Sequence, residues 1–142
     1  MRNVLLPFDG SVPARHAVQY LLNIIEDYPN LQIHMINVQA EPKLYGNYVS
    51  ASLMEQLRAG ALERSLEVLA EGTSSLEATG VRCEPHAAVG DVAEEIVRAV
   101  KEYACDTVIM GTRGMSNLGN LLMGSVATRV LHEVSVPVLL VK

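Results

Sequence analysis

Cysteine is scarce in this chain of 142 residues: only Cys83 and Cys105 occur, far apart and outside any Cys-x-x-Cys pair. That spacing removes a disulfide framework and a thiolate metal cluster from consideration and leaves two small buried thiols as the expectation. Histidine is equally dispersed. His16, His34, His86 and His132 show no ligand spacing along the chain and are expected at the surface or at element ends. Basic residues are few, 11 Lys and Arg against 16 Asp and Glu, for a formal charge of -5. Without a basic patch the chain is not expected to hold a nucleic-acid backbone, and without a Lys/Arg run it is not expected on an anionic membrane. No apolar run approaches the roughly 20 residues that a bilayer helix needs. Met1-Arg2-Asn3 leads straight into a strand-like segment with no leader pattern, so the cytoplasm is the expected compartment.

Apolar residues, by contrast, are plentiful. They make up 49% of the chain, enough for one domain over residues 1–142 to build a core without metal or disulfide support. Two periodicities alternate. Asn3 to Phe8 is an apolar run ending in a Pro7 to Ser11 loop, the pattern of a buried strand. From Ala14 the apolar positions become Ala17, Val18, Leu21, Leu22 and Ile25, a helical stripe with Ser11 as its N-cap and Pro13 in its first turn. Leu31 to Val38 reads as a second strand, and Glu41 to Asn47 as a loop. A long helix follows, whose expected buried stripe is Leu53, Leu57, Leu62, Leu66, Leu69 and Leu76, with Gly80 as its stop. Val81 to Val89 forms a third strand. Asp91 and Glu94 resemble an acidic capping box before a helix with Ile96, Val97, Val100 and Ala104 inward. Thr107 to Met110 is a fourth strand, Ser125 opens a helix with Val126, Val130 and Leu131 inside, and Val136 to Val141 is a fifth strand. Strands alternating with helices imply an open α/β sheet, mostly parallel and covered on both faces. Its strand order is not readable from this pattern. If strands one and four are neighbours, the polar loops at their ends meet in one crevice.

The segment from Gly111 to Val126 carries the chemistry. Gly111 and Gly114 directly follow a strand, where the missing Cβ lets backbone N–H groups approach an anion. Gly124-Ser125-Val126 opens a helix, whose free N–H groups and dipole also favour an anion. One glycine here would read as an ordinary βα loop. Three glycines and a serine, set at a strand end and a helix start, point to a two-part phosphate clasp. It is not a P-loop, because Val126 and Ala127 stand where Lys and Ser/Thr are required. No Gly-x-Gly-x-x-Gly follows the first strand, which argues against a dinucleotide site.

The pattern Gly111-x2-Gly114-x9-Gly124-Ser125 resembles the ATP-binding motif of the universal stress protein family, and the likeness runs through Val4 to Ser11, Val89-Gly90 and Val136 to Val141. It implies a single five-stranded parallel open sheet with helices on both faces, Rossmann-like and of the adenine nucleotide alpha hydrolase kind. It implies ATP as ligand, with phosphates on the backbone of Gly111, Gly114, Gly124 and Val126 and on the Ser125 hydroxyl. Asp9 would meet the ribose and phosphates directly or through Mg²⁺, although an Asp there also suits plain helix capping. Val38 would meet the adenine, and Pro7, Val89 and Met110 would line the pocket. The family often places a basic residue between the second and third glycines, where this chain has Gly119-Asn120. Arg113 is the cation inside the motif, so Mg²⁺ is expected to help neutralise the phosphates.

Two functions follow from such a site. One is a nucleotide-dependent stress-response module in which ATP occupancy is read by a partner. The other is a slow Mg-dependent ATPase or phosphoryl-transfer enzyme. Phosphoryl transfer needs a positioned base and strong charge neutralisation. The motif shows neither a placed Lys nor paired carboxylates, so no catalytic residue is assigned and the module is preferred. The apolar strand Val136 to Val141, if it lies at a sheet edge, suits a homodimer, as the resemblance also implies.

Overall fold

The structure is a computed structural model that describes residues 1–41, 50–112 and 123–142. The expected loop after Glu41, together with Arg113 and Gly114, lies outside the described residues. Five strands, β1 (Asn3–Pro7), β2 (Gln32–Ala40), β3 (Arg82–Gly90), β4 (Thr107–Gly111) and β5 (Val138–Val141), alternate with helices α1 (Val12–Ile24), α2 (Ala51–Glu77), α3 (Val92–Glu102) and α4 (Ser125–Glu133). A single turn of 3-10 helix, Ile25–Asp27, follows α1. All neighbouring strands pair in parallel, in the order β3-β2-β1-β4-β5. The chain therefore builds outward from β1 to β3 and then returns to the other side of β1. The reversal between β1 and β4 is where such sheets bind ligands.

Strand alternation divides the core in two. Val4, Leu6, Ile33, Met35 and Ile109 face α1 and α2, where they meet Ala17, Leu21, Leu69 and Leu76. Leu5, Ile36, Val108 and Met110 face α3 and α4, against Ile96, Val100, Ala127 and Val130. β1 is covered on both faces, so Val4, Leu5 and Leu6 are fully buried and read as one apolar run. β3 is an edge strand, which lets it accept Pro85, a residue with no N–H for a ladder.

Three capping expectations hold: the Ser11 hydroxyl accepts from the Ala14 N–H, the Asp91 side chain accepts from the Glu94 N–H, and Gly80 adopts a left-handed φ of 78° beyond α2. The helix stripes differ more. In α2 the buried positions are Ser65, Leu69, Gly72, Thr73 and Leu76, whereas Leu53 and Leu66 are exposed at 43% and 57%. Gly72 sits where a Cβ would meet Met35 Sδ at 2.6 Å and the Phe8 ring at 2.8 Å, so α2 turns its smallest residue to the sheet. Reading only leucines traces a line oblique to that contact. Ala104, expected inward from α3, is exposed beyond the helix end with φ 50°, and Leu131 of α4 is also exposed. Cys105 is buried and Cys83 half-buried. Burial above all pushes both thiols up to about 11, with Asp106 adding for Cys105 and Glu77 for Cys83. His34 departs from its expected place: it lies buried in the middle of β2, where the rings of His86 and Tyr103 stand beside its own.

Candidate functional site

At the carboxyl ends of β1 and β4 lies an open cleft whose wall is mainly apolar with a few polar groups, the make-up of a small-molecule site. Of the residues singled out from the sequence, Pro7, Asp9, Val38, Met110, Gly111, Gly124, Ser125 and Val126 line it. Val89 does not: it points into a neighbouring depression with Glu41, Met54 and Arg58. Residues from four separate segments converge because β1 and β4 are neighbours, with β2 on the far side of β1.

Each wall has a local cause. On the β1 side, Asp9 Oδ1 accepts the Ser11 N–H at 3.0 Å and shapes the turn that starts α1. Ser11 rather than Asp9 caps that helix, so Asp9 remains at the cleft wall. On the β4 side, Gly111 is a glycine for a packing reason. A Cβ there would stand 2.7 Å from the Pro13 carbonyl carbon and 2.9 Å from the Ala14 nitrogen. Only a bare backbone lets the start of α1 press onto the end of β4. Asn37, which the sequence pattern did not single out, is buried in the cleft wall; its amide donates to the Phe8 carbonyl at 2.8 Å and its carbonyl oxygen accepts from Gln39. It ties the end of β2 to the end of β1. A lone Asn in an apolar strand was its signal.

The far wall is the start of α4. Gly124 is its N-cap, with extended φ and ψ of -72° and 161°, and among the described residues no side chain caps the helix. Ser11, Ser50 and Asp91 do cap the other three helices. The Gly124 N–H is itself held by the Thr112 carbonyl at 2.6 Å, which joins the end of β4 to the start of α4. The result is a helix start opening on the cleft beside the exposed Ser125 hydroxyl, where backbone N–H groups and the helix dipole favour negative charge.

One turn along α4, Arg129 borders an adjoining depression that shares Ser125 and Val126 with the cleft. Arg129 is 3.0 Å from Asp91 and 3.4 Å from Glu133, so it joins α4 to the start of α3. The Glu94 N–H, with Arg129 behind it, holds the Asp91 carboxyl below its usual range against some desolvation. Sequence spacing did not flag this pair, because its partners are 38 positions apart.

The architecture recurs among known proteins. Over 99% of this chain and 95% of the other, it superposes on the solved structure of MJ0577, a universal stress protein of Methanocaldococcus jannaschii, with a TM-score of 0.83 and 25% identity. A universal stress protein family protein from Arabidopsis thaliana, solved with AMP bound, matches with a TM-score of 0.71 at 19% identity, over 100% of this chain and 92% of that one. A universal stress protein solved in complex with cAMP matches with a TM-score of 0.71 at 22% identity, over 99% and 97%. In sequence, the universal stress protein YxiE of Bacillus subtilis is 30% identical over 98% of this chain and 97% of its own length. MJ0531 of M. jannaschii is 29% identical over 99% of this chain and 82% of its own length. The model of the universal stress protein family matches residues 1–142. With its five parallel strands, its reversal between β1 and β4 and the cleft at that reversal, this chain belongs to the universal stress protein family.

Proposed function

We propose that the chain binds an adenine nucleotide, ATP with Mg²⁺, in the cleft between β1 and β4 and acts as a nucleotide-dependent regulatory module of the cytoplasmic stress response. The observation that carries this reading is the start of α4, uncapped by any described side chain and opening beside Ser125 on a cleft at the sheet's reversal point. Phosphates fit that helix start at Ser125 and Val126 and the backbone of Gly111, whereas the Gly124 N–H, expected to take part, is already given to the Thr112 carbonyl. Asp9 offers a carboxylate for the ribose or for Mg²⁺, and the apolar wall of Pro7, Val38 and Met110 suits a purine face. Arg113 and Gly114 belong to the same reading through the family motif. That universal stress proteins of this fold have been solved with AMP and with cAMP supports an adenine nucleotide here. Mg²⁺ would supply charge neutralisation at the phosphates, while the chain's own groups bind and orient.

Holding, rather than transferring, is the favoured role. Among the described residues lining the cleft, Asp9 is the carboxylate, and one of its oxygens already accepts the Ser11 N–H. The same reading includes a homodimer formed through β5, which stands at one edge of the sheet with half-buried Val138 to Val141. No helix among the described residues is long and apolar enough to cross a membrane. The test is to denature the purified protein, identify released nucleotide by chromatography, and titrate ATP with and without Mg²⁺. An adenine nucleotide in the eluate or saturable ATP binding is expected. Absence of both sinks the reading. Phosphate release measured alongside distinguishes the roles, since turnover of about one per second or faster belongs to an enzyme.

A further inference from the structure

On the opposite side of β2 from the cleft's neighbour β1, three potential ligands meet that are scattered in the sequence. His34 of β2 pairs in register with Glu84 of the edge strand β3, and His86 follows two residues later on the same face. His34 Nδ1 stands 2.9 Å from His86 Nε2 and 3.4 Å from Glu84 Oε2. One ligand atom from each residue lies within 4.8 Å of the other two. We propose that His34, Glu84 and His86 form a binding site for one divalent transition-metal ion of the Zn²⁺ type.

The donor set decides the class of ion. Two imidazoles and one carboxylate suit Zn²⁺, Co²⁺ or Ni²⁺, whereas Mg²⁺ and Ca²⁺ prefer oxygen alone. Two nitrogens bound to one tetrahedral Zn²⁺ at 2.0–2.1 Å stand roughly 3.3–3.4 Å apart, so the present 2.9 Å needs an opening of a few tenths of an ångström. Side-chain rotation suffices for that. Tyr103 stacks on His86 at 3.8 Å between centroids and lies nearly parallel to His34 at 5.0 Å. Tyr103 thereby serves as a positioning residue for the His86 ring. Burial above all lowers the affinity of both imidazoles for protons, which leaves lone pairs for a metal at neutral pH; Glu84, and for His86 also Glu102, oppose this only in part. His34 is buried while the Glu84 side chain is 59% exposed, so the ion has access from solvent and water can complete its coordination. Bound there, it would clip the edge strand β3 to β2. Cys83, next to Glu84 in β3, packs into the other face and takes no part. The site is separate from the nucleotide cleft, so its test does not depend on nucleotide binding.

The experiment uses the full chain freed of metal by a chelator. Titration with Co²⁺ is expected to saturate at one equivalent with a visible d–d band, and Zn²⁺ is expected to displace it. In NMR spectra of the unaltered protein, Zn²⁺ should shift the ring resonances of His34 and His86 but not those of His16 and His132. Glu84→Gln and His86→Gln should each weaken Co²⁺ binding by about tenfold or more. Non-saturating uptake, shifts at His16 or His132 instead, or undiminished binding by a folded His86→Gln variant would overturn the proposal. If a variant does not fold, the spectra of the unaltered protein decide.

Discussion

Glycine takes opposite roles at two positions, and both are measurable. At Gly111 an added Cβ meets backbone atoms of Pro13 and Ala14, which cannot swing aside. Gly111→Ala should therefore cost about 1–3 kcal/mol, read as a lower urea midpoint at unchanged m. At Gly60, inside α2, a Cβ meets nothing within 4 Å. Gly60→Ala should stabilise by about 0.5–1 kcal/mol through helix propensity alone. The histidine pair sets a pH dependence. In the metal-free fold, His34 and His86 have pKa values lowered from 6.5, chiefly by burial, with Glu84, Glu102 and Tyr103 as their neighbours. The unfolded chain then takes up more protons than the native one as pH falls through 6.5, so their contribution is present above that value and is lost below it. Urea midpoints should fall between about pH 7.5 and 5.5, before the depressed Asp91 and Asp106 carboxyls are reached. A flat profile would show that the imidazoles titrate normally.

At the scale of an element, α2 and α4 make separable claims. Leucines of α2 look alike in the sequence, yet Leu69 is 1% exposed and Leu66 57%. Leu69→Ala should cost about 2–5 kcal/mol and Leu66→Ala less than about 0.5, in the same denaturation assay. Equal costs would contradict the placement of the helix. For α4 the informative change is Gly124→Val. The extended φ and ψ at Gly124 accept any residue, so the fold should survive with a small capping loss. The isopropyl group would stand at the helix start where phosphates are proposed. ATP affinity should drop at least tenfold by calorimetric titration; unchanged affinity would place the phosphates elsewhere.

For the whole molecule, the arrangement of layers leaves β5 and β3 as the two sheet edges. β3 is blunted by Pro85 and by charged Arg82 and Glu84, which discourages pairing. β5 has neither device and is wholly aliphatic. Sedimentation equilibrium should therefore give twice the chain mass of 15.4 kDa, and a monomer at all concentrations would remove the proposed homodimer.

Much of the fold was legible because its determinants are local. The switch between two-residue and helical periodicity, the Ser11 and Asp91 caps and the break at Gly80 each act within a few residues, so element order and most boundaries follow from the chain itself. Cleft residues at element ends, such as Asp9, Gly111 and Gly124, were legible for the same reason. What only the tertiary structure decided depends on contacts between distant segments. The order β3-β2-β1-β4-β5 brings the cleft walls together, sends Val89 to a different depression, and presses Gly111 against Pro13. It also sets His34 beside Glu84 and His86, 50 or more positions away, where linear spacing shows no ligand pattern. Parallel pairing joins strands that are separated by a whole helix, and a sequence records each strand's own pattern but not its neighbour or register.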